Sequence, residues 1–219
     1  MLKRNTLPIC ILAAGLLSLY SCKSTEVPVG GEQVLLSTFT TDWAENSFSD
    51  ESQLGYFFTT PELGSFSMIQ GEFNKTGGYE KSAFGFVFSY TADEKGRLSN
   101  YIRFEINTAG EYAAYAYDGR TYTDLIEAQP ENTAYLYPSA AIKSGYDSIN
   151  TLKIAETSAG YDLFINGTKT ASITVPSGFD GGTGVMAFFS VGKKDQEQFP
   201  GAPVRVTYRI TDSKAAMQK

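Results

Sequence analysis

Along residues 101–106 the chain reads Tyr101, Ile102, Arg103, Phe104, Glu105, Ile106, and a second run follows from Tyr112 to Tyr117. At a period of two, Tyr101, Arg103 and Glu105 share one face of a strand, while Ile102, Phe104 and Ile106 share the other. The chemistry open to such a polar face is non-covalent. Tyrosine rings stack on the apolar faces of pyranose sugars, and an arginine and a glutamate orient hydroxyls by charge-assisted hydrogen bonds. The competing reading is a solvated sheet surface on which Arg103 and Glu105 cancel each other and the tyrosines merely cover the backbone. Cleaving a glycosidic bond asks for more: two carboxyl groups, about 5 Å apart for retention of configuration or about 6.5–9.5 Å apart for inversion. Glu105 is the carboxylate that stands out on a strong strand, so a pair would have to recruit Glu80 or Asp118 from elsewhere.

The register of the hairpin joining 101–106 to 112–117 decides which side chains gather on that face. With an odd loop, made by Gly110 as a left-handed bulge, Phe104 lies opposite Ala114 and Ile102 opposite Ala116. Tyr101, Arg103, Glu105, Tyr115 and Tyr117 are then neighbours. With an even loop, Tyr112 replaces Tyr115 and Tyr117. The odd register packs large residues against small ones across the core and is the one expected.

Composition removes other chemistries. The 219 residues include no histidine, so there is no Ser-His-Asp triad, no Cys-His pair and no His-ligated metal. A net charge of −6 argues against a nucleic-acid groove, which needs clustered Lys and Arg. No metal or cofactor is expected; Asp180, beside Gly181 and Gly182, reads as a turn rather than a cation contact. With 15 Phe and 14 Tyr the chain has the material for a substantial core.

The elements that must position the tyrosine face are strands. From Val34 onward the apolar period is two, and no stretch holds a helical apolar stripe for three turns. Phe84, Phe86, Phe88 and Tyr90 alternate, as do Tyr161, Leu163 and Ile165, and Val204, Val206, Tyr208 and Ile210. Less regular strands are expected at 33–40, 54–60, 66–73, 120–126, 150–156, 168–175 and 184–191. Asn166-Gly167 marks a tight hairpin turn and Asp118-Gly119 a second. Residues 127–149 read as a long loop over one rim, in which Tyr135 and Tyr137 either extend a groove or pin the loop down. Trp43 is expected in the core. The sandwich is bounded at 34–211, with 212–219 a polar tail.

The N-terminus reads as an address. Lys3 and Arg4 precede an apolar stretch, Leu7 to Leu19, that is shorter than the ~20 residues a spanning helix needs. Leu19-Tyr20-Ser21-Cys22 then resembles the lipobox of bacterial lipoproteins, with Tyr20 departing from the usual small residue. The resemblance implies that residues 1–21 are a signal peptide and that Cys22 carries the lipid. Two or three acyl chains anchor a protein stably where one does not. Residues 22–33, with Pro28, Gly30 and Gly31, read as a flexible tether.

The succession Phe84-Gly85-Phe86-Val87-Phe88, Tyr101 to Ile106, Gly110-Glu111-Tyr112-Ala113, Asn150-Thr151-Leu152-Lys153-Ile154 and Leu163-Phe164-Ile165-Asn166-Gly167 resembles the concanavalin A-like lectin/glucanase superfamily, above all its bacterial laminin-G-like members. That resemblance implies an all-β fold, an antiparallel β-sandwich of jelly-roll type, with ligands, often glycans, on a concave sheet or at the loop rim. The Glu-x-Asp-x-x-Glu strand of the glucanase branch is absent, and calcium ligands of the laminin-G kind cannot be placed. The expectation is therefore a membrane-anchored envelope lipoprotein, facing the periplasm or the exterior. Its non-catalytic sandwich binds carbohydrate, with a protein-interaction or scaffold role as the alternative and glycoside hydrolysis a more distant one. Its expected partners are a glycan or an envelope or surface protein. It meets the membrane only through its N-terminal lipid.

Overall fold

The computed structural model describes residues 34–40, 56–60, 62–92, 94, 98–127, 135–179, 181–191 and 204–214. Residues 1–21 and 22–33, read above as signal peptide and tether, with Cys22, and also Trp43 and Asp180, lie outside these residues. Among them there is no helix, and so none long and apolar enough to cross a membrane.

Among the described residues thirteen strands follow in order: β1 (Val34–Thr40), β2 (Tyr56–Thr59), β3 (Met68–Gly77), β4 (Phe84–Ala92), β5 (Leu98–Ile106), β6 (Glu111–Tyr117), β7 (Tyr122–Asp124), β8 (Tyr137–Pro138), β9 (Asn150–Glu156), β10 (Gly160–Ile165), β11 (Thr168–Thr174), β12 (Val185–Val191) and β13 (Arg205–Lys214). They form two antiparallel sheets. One has the order β1-β13-β3-β9-β10-β11; the other has β2-β12-β4-β5-β6-β7, with β8 added beside β6. The chain crosses between sheets repeatedly, so that β13, last in sequence, lies between β1 and β3. This is the all-β, antiparallel two-sheet sandwich expected from the sequence.

The core lies between the sheets and follows from the alternation. Along β3 every second residue is buried: Ile69, Gly71, Phe73 and Lys75. Phe73 meets Phe86 edge-on, with centroids 5.0 Å apart, and Phe88 meets Tyr161 in the same way at 5.0 Å. Burying a phenylalanine of this kind contributes roughly 1.5–3 kcal/mol. Lys75 is the exception among the inward residues, and its Nζ donates to the carbonyls of Tyr79 and, at 2.7 Å, of Ser82.

Three features differ from the sequence expectation. Tyr90 does not follow Phe84, Phe86 and Phe88 into the core, because Ser89 adopts a φ of 51° and the β4–β5 register slips between Phe88 and Thr91. The bulge turns Tyr90 to the other face of its sheet. β13 continues to Lys214, paired with Met68, so the strand runs into the segment read as a tail. Within the long loop, Tyr137 and Pro138 pair with Tyr112 and Glu111. The Asn166-Gly167 turn is as expected, with φ of 50° and 82°. Asp118-Gly119 also sits in a hairpin turn, between β6 and β7, with Gly119 at a φ of 92°, and Asp118 Oδ1 accepts from the N–H groups of Arg120 and Thr121 at 2.8 and 2.7 Å.

Candidate functional site

The hairpin between β5 and β6 takes the odd register. Gly110 has a φ of 90°, Phe104 lies opposite Ala114, and Ile102 lies opposite Ala116. Side chains on the face turned away from the core therefore fall into rows. Tyr101, Tyr117 and Tyr122 form one row across β5, β6 and β7; Arg103, Tyr115 and Asp124 form the next; Glu105 and Ala113 form the third. All five residues singled out from the sequence are brought together here.

The rows are packed, not merely adjacent. Tyr117 and Tyr122 have ring centroids 4.6 Å apart, Tyr101 and Tyr117 5.2 Å, and Tyr115 and Tyr122 5.5 Å. Tyr101 and Tyr122 share a hydrogen bond between their hydroxyls at 3.4 Å. Arg103 Nε donates to Glu105 Oε2 at 2.9 Å, its Nη2 donates to the same oxygen, and Tyr115 Oη donates there at 3.4 Å. The guanidinium also packs on aromatic rings, 4.4 Å from the centroid of Phe188 and 5.1 Å from that of Tyr115.

Much of this face is covered. Tyr101 is 3% exposed, Arg103 8%, Glu105 5% and Tyr115 9%. With Val87, Ala113 and Phe188, the tyrosines build a second apolar cluster, against which Tyr90, Leu98, Tyr117 and Tyr122 pack. The sequence expectation of an open polar face is thus refined. The ion pair and the inner two rings form a buried foundation, and Tyr117 and Tyr122 are the half-buried rings at its rim, next to the exposed turn Asp118-Gly119-Arg120. Phe188 and Val87 escaped the sequence reading, although β12 carries a signal. Its run Val185-Met186-Ala187-Phe188-Phe189 is apolar on both faces, as a strand covered on both sides must be.

Electrostatics follow from burial. Desolvation alone would lower the pKa of Arg103, but the charge of Glu105 and the surrounding phenol oxygens hold it above its ordinary value. Burial pushes the phenols of Tyr115 and Tyr101 well up against the opposing pull of Arg103, and burial also raises Tyr117. These three therefore stay neutral hydrogen-bonding groups throughout the physiological range. At the rim the backbone N–H groups of Thr121 and Arg120 lower the pKa of Asp118 and hold it ionised.

The other candidates lie elsewhere. Glu80 is exposed, and its carbonyl accepts from the backbone and side chain of Thr108. Tyr137 donates to Asp124 Oδ2 at 3.1 Å and packs near Tyr112, so it pins the loop rather than lining a groove. Tyr135 is half-buried. Among the described residues no three His, Cys, Asp or Glu side chains cluster as metal ligands would.

No protein-family model matches the chain, and no curated protein matches it in sequence. Among solved structures it is similar to the carbohydrate-binding module CBM66 from Bacillus subtilis, at 11% identity over 80% of this chain and 93% of that one, with a TM-score of 0.45. It is similar to a β-glucanase from Bacillus licheniformis at 12% identity, over 84% of this chain and 100% of that one, with a TM-score of 0.43. A galectin from Caenorhabditis elegans matches at 12% identity, over 72% and 91% of the two chains, with a TM-score of 0.39. These are similarities of chain path alone.

Proposed function

We propose that this protein is a lipid-anchored lipoprotein of the bacterial envelope whose sandwich binds carbohydrate without cleaving it. The observation that carries the reading is the row Tyr101, Tyr117, Tyr122, three rings packed on consecutive strands, of which Tyr117 and Tyr122 reach the surface. Rings packed against one another at a tilt, as Tyr117 and Tyr122 are at 32°, offer a preorganised apolar surface, and little side-chain entropy remains to be lost when a sugar packs on it. Asp118 and Arg120 stand beside the rim with polar groups that sugar hydroxyls can use. In this reading Tyr101, Arg103, Glu105 and Tyr115 hold the platform, and Tyr117 and Tyr122 make the contact.

A non-catalytic role is supported by what surrounds Glu105. Its carboxylate is engaged by Arg103 and Tyr115. Asp118 lies five residues beyond Ala113, the cross-strand partner of Glu105, which at a rise of roughly 3.4 Å per residue is about 17 Å along the strand. That is too far for a pair flanking one bond. Lipid anchoring rests on the Leu19-Tyr20-Ser21-Cys22 motif.

One observation favours the alternative of a protein-interaction role: Leu136, Tyr146 and Ile149, in the loop at the other rim, are large apolar side chains exposed to solvent. A glycan array probed with the chain from Lys23 onward separates the readings. Binding to a defined set of oligosaccharides is expected; silence across the array, with the domain folded, removes the carbohydrate reading.

A further inference from the structure

We infer that Tyr117 is the residue through which this face selects its ligand, its hydroxyl donating a hydrogen bond to an oxygen of the bound sugar. The inference rests on the carbohydrate-binding reading and names the polar contact within it. A pyranose laid against aromatic rings hides some of its own hydroxyls from water, and a hydroxyl hidden without a partner costs free energy. The rings must therefore come with a polar group that is still open.

The other polar groups of the rows bond within the protein. The hydroxyls of Tyr101 and Tyr122 meet at 3.4 Å, and that of Tyr115 donates to Glu105 Oε2 at the same distance. Arg103 turns Nε and Nη2 to Glu105, and Nη2 also reaches Ser190 Oγ at 3.3 Å. Asp124 accepts from Tyr137 at 3.1 Å, and Tyr90, packed on the same cluster, donates to Glu62. Among the described residues, none exchanges a hydrogen bond with the hydroxyl of Tyr117. Its ring is nevertheless held. Tyr117 stands on β6, paired with Tyr101 on β5 and with Tyr122 on β7, and the ring centroids lie 5.2 and 4.6 Å away. A phenol fixed by neighbours on two strands loses little freedom on binding. Burial, then Tyr122 and Asp118, raise its pKa, so it keeps its proton and remains a donor. Asp118 and Arg120 lie on the exposed turn that follows, outside the packed rows. The competing role for Tyr117 is a surface phenol that meets only water, and removing its hydroxyl would then leave affinity unchanged.

The test prints α- and β-linked gluco-, galacto- and manno-disaccharides, each beside its monodeoxy counterparts, and titrates the full chain in detergent and its Tyr117→Phe variant. The wild type is expected to bind one or more parents, with one monodeoxy counterpart about three- to tenfold weaker, the size of one hydrogen bond. Tyr117→Phe is expected to weaken the parent by the same factor and to bind that counterpart as the wild type does, so that the two losses do not add. Its melting temperature should match that of the wild type, because the hydroxyl bonds nothing in the protein. Unchanged affinity of Tyr117→Phe for the parent, losses that add, or deoxy counterparts all bound like their parents each overturn the inference and leave carbohydrate binding standing. A lowered melting temperature would give the hydroxyl a structural role and overturn it as well. No binding by the wild type to any member removes the carbohydrate reading itself, and the inference with it.

Discussion

Arg103 and Glu105 stand two residues apart on β5 and close on each other, Nε to Oε2 at 2.9 Å, beneath the rings of Tyr115 and Phe188. Both belong to the polar half of an alternating strand, yet both are buried. A buried pair contributes little net stability, because desolvation offsets the attraction, but removing one partner strands the other. Glu105→Ala is therefore expected to lower the free energy of unfolding by about 3–5 kcal/mol in urea denaturation. The double replacement Arg103→Met with Glu105→Leu should cost less than the single change. Equal losses in the two would mean that packing, not charge, dominates at this position.

The phenols set the alkaline limit of the fold. Burial raises Tyr101 and Tyr115 above the ordinary value of 10.0, so above that pH the unfolded chain gives up protons that the folded one keeps. The folded state then binds more protons, and stability falls as pH rises. The contribution is fully present below pH 10 and is lost progressively above it. Denaturant midpoints measured from pH 8 to pH 12 should hold steady and then decline, and Tyr101→Phe should soften the decline.

Two turns fix hairpin registers, one in each sheet, and that at Gly110 sets the register of the site. Gly110 holds a φ of 90°, where an L side chain costs about 1–2 kcal/mol, so Gly110→Ala should destabilise by about that amount. Asn166, with a φ of 50°, accepts from the N–H of Thr151 at 2.9 Å and donates to Ala141 O and Asn150 Oδ1 at 2.8 Å each. Asn166→Ala removes all three bonds, and a loss of about 2 kcal/mol or more is expected. Thermal unfolding of the two variants checks both values.

Much of this was legible in the sequence because strand alternation and turn chemistry are local. Gly110 after Asn107, and Ala114 and Ala116 opposite Phe104 and Ile102, suffice to choose the register. What covers a face is not local. The burial of Arg103 depends on Phe188 and Ser190, more than eighty positions away, and on a β12–β4–β5 order that alternation cannot reveal. Tyr90 was misplaced because the positive φ of Ser89 has no residue signature; neither glycine nor asparagine stands there. Lys75 fits the inward period of β3, but the pattern does not say that carbonyls at Tyr79 and Ser82 await its ammonium.

Anchoring is separable from binding. Cys22→Ser in cells is expected to abolish incorporation of labelled palmitate and to release the protein from the membrane fraction. Membrane association that survives the substitution contradicts lipid attachment at that residue.

The central claim is that Tyr117 and Tyr122 are the rings a sugar touches. Glycan titration of the wild type against Tyr117→Ala with Tyr122→Ala tests it most directly, with thermal unfolding recorded on the same samples. Stacking on aromatic rings is worth about 0.5–1.5 kcal/mol per pair, so the double variant should bind roughly tenfold or more weakly while remaining folded. Undiminished affinity in a folded double variant would contradict the account.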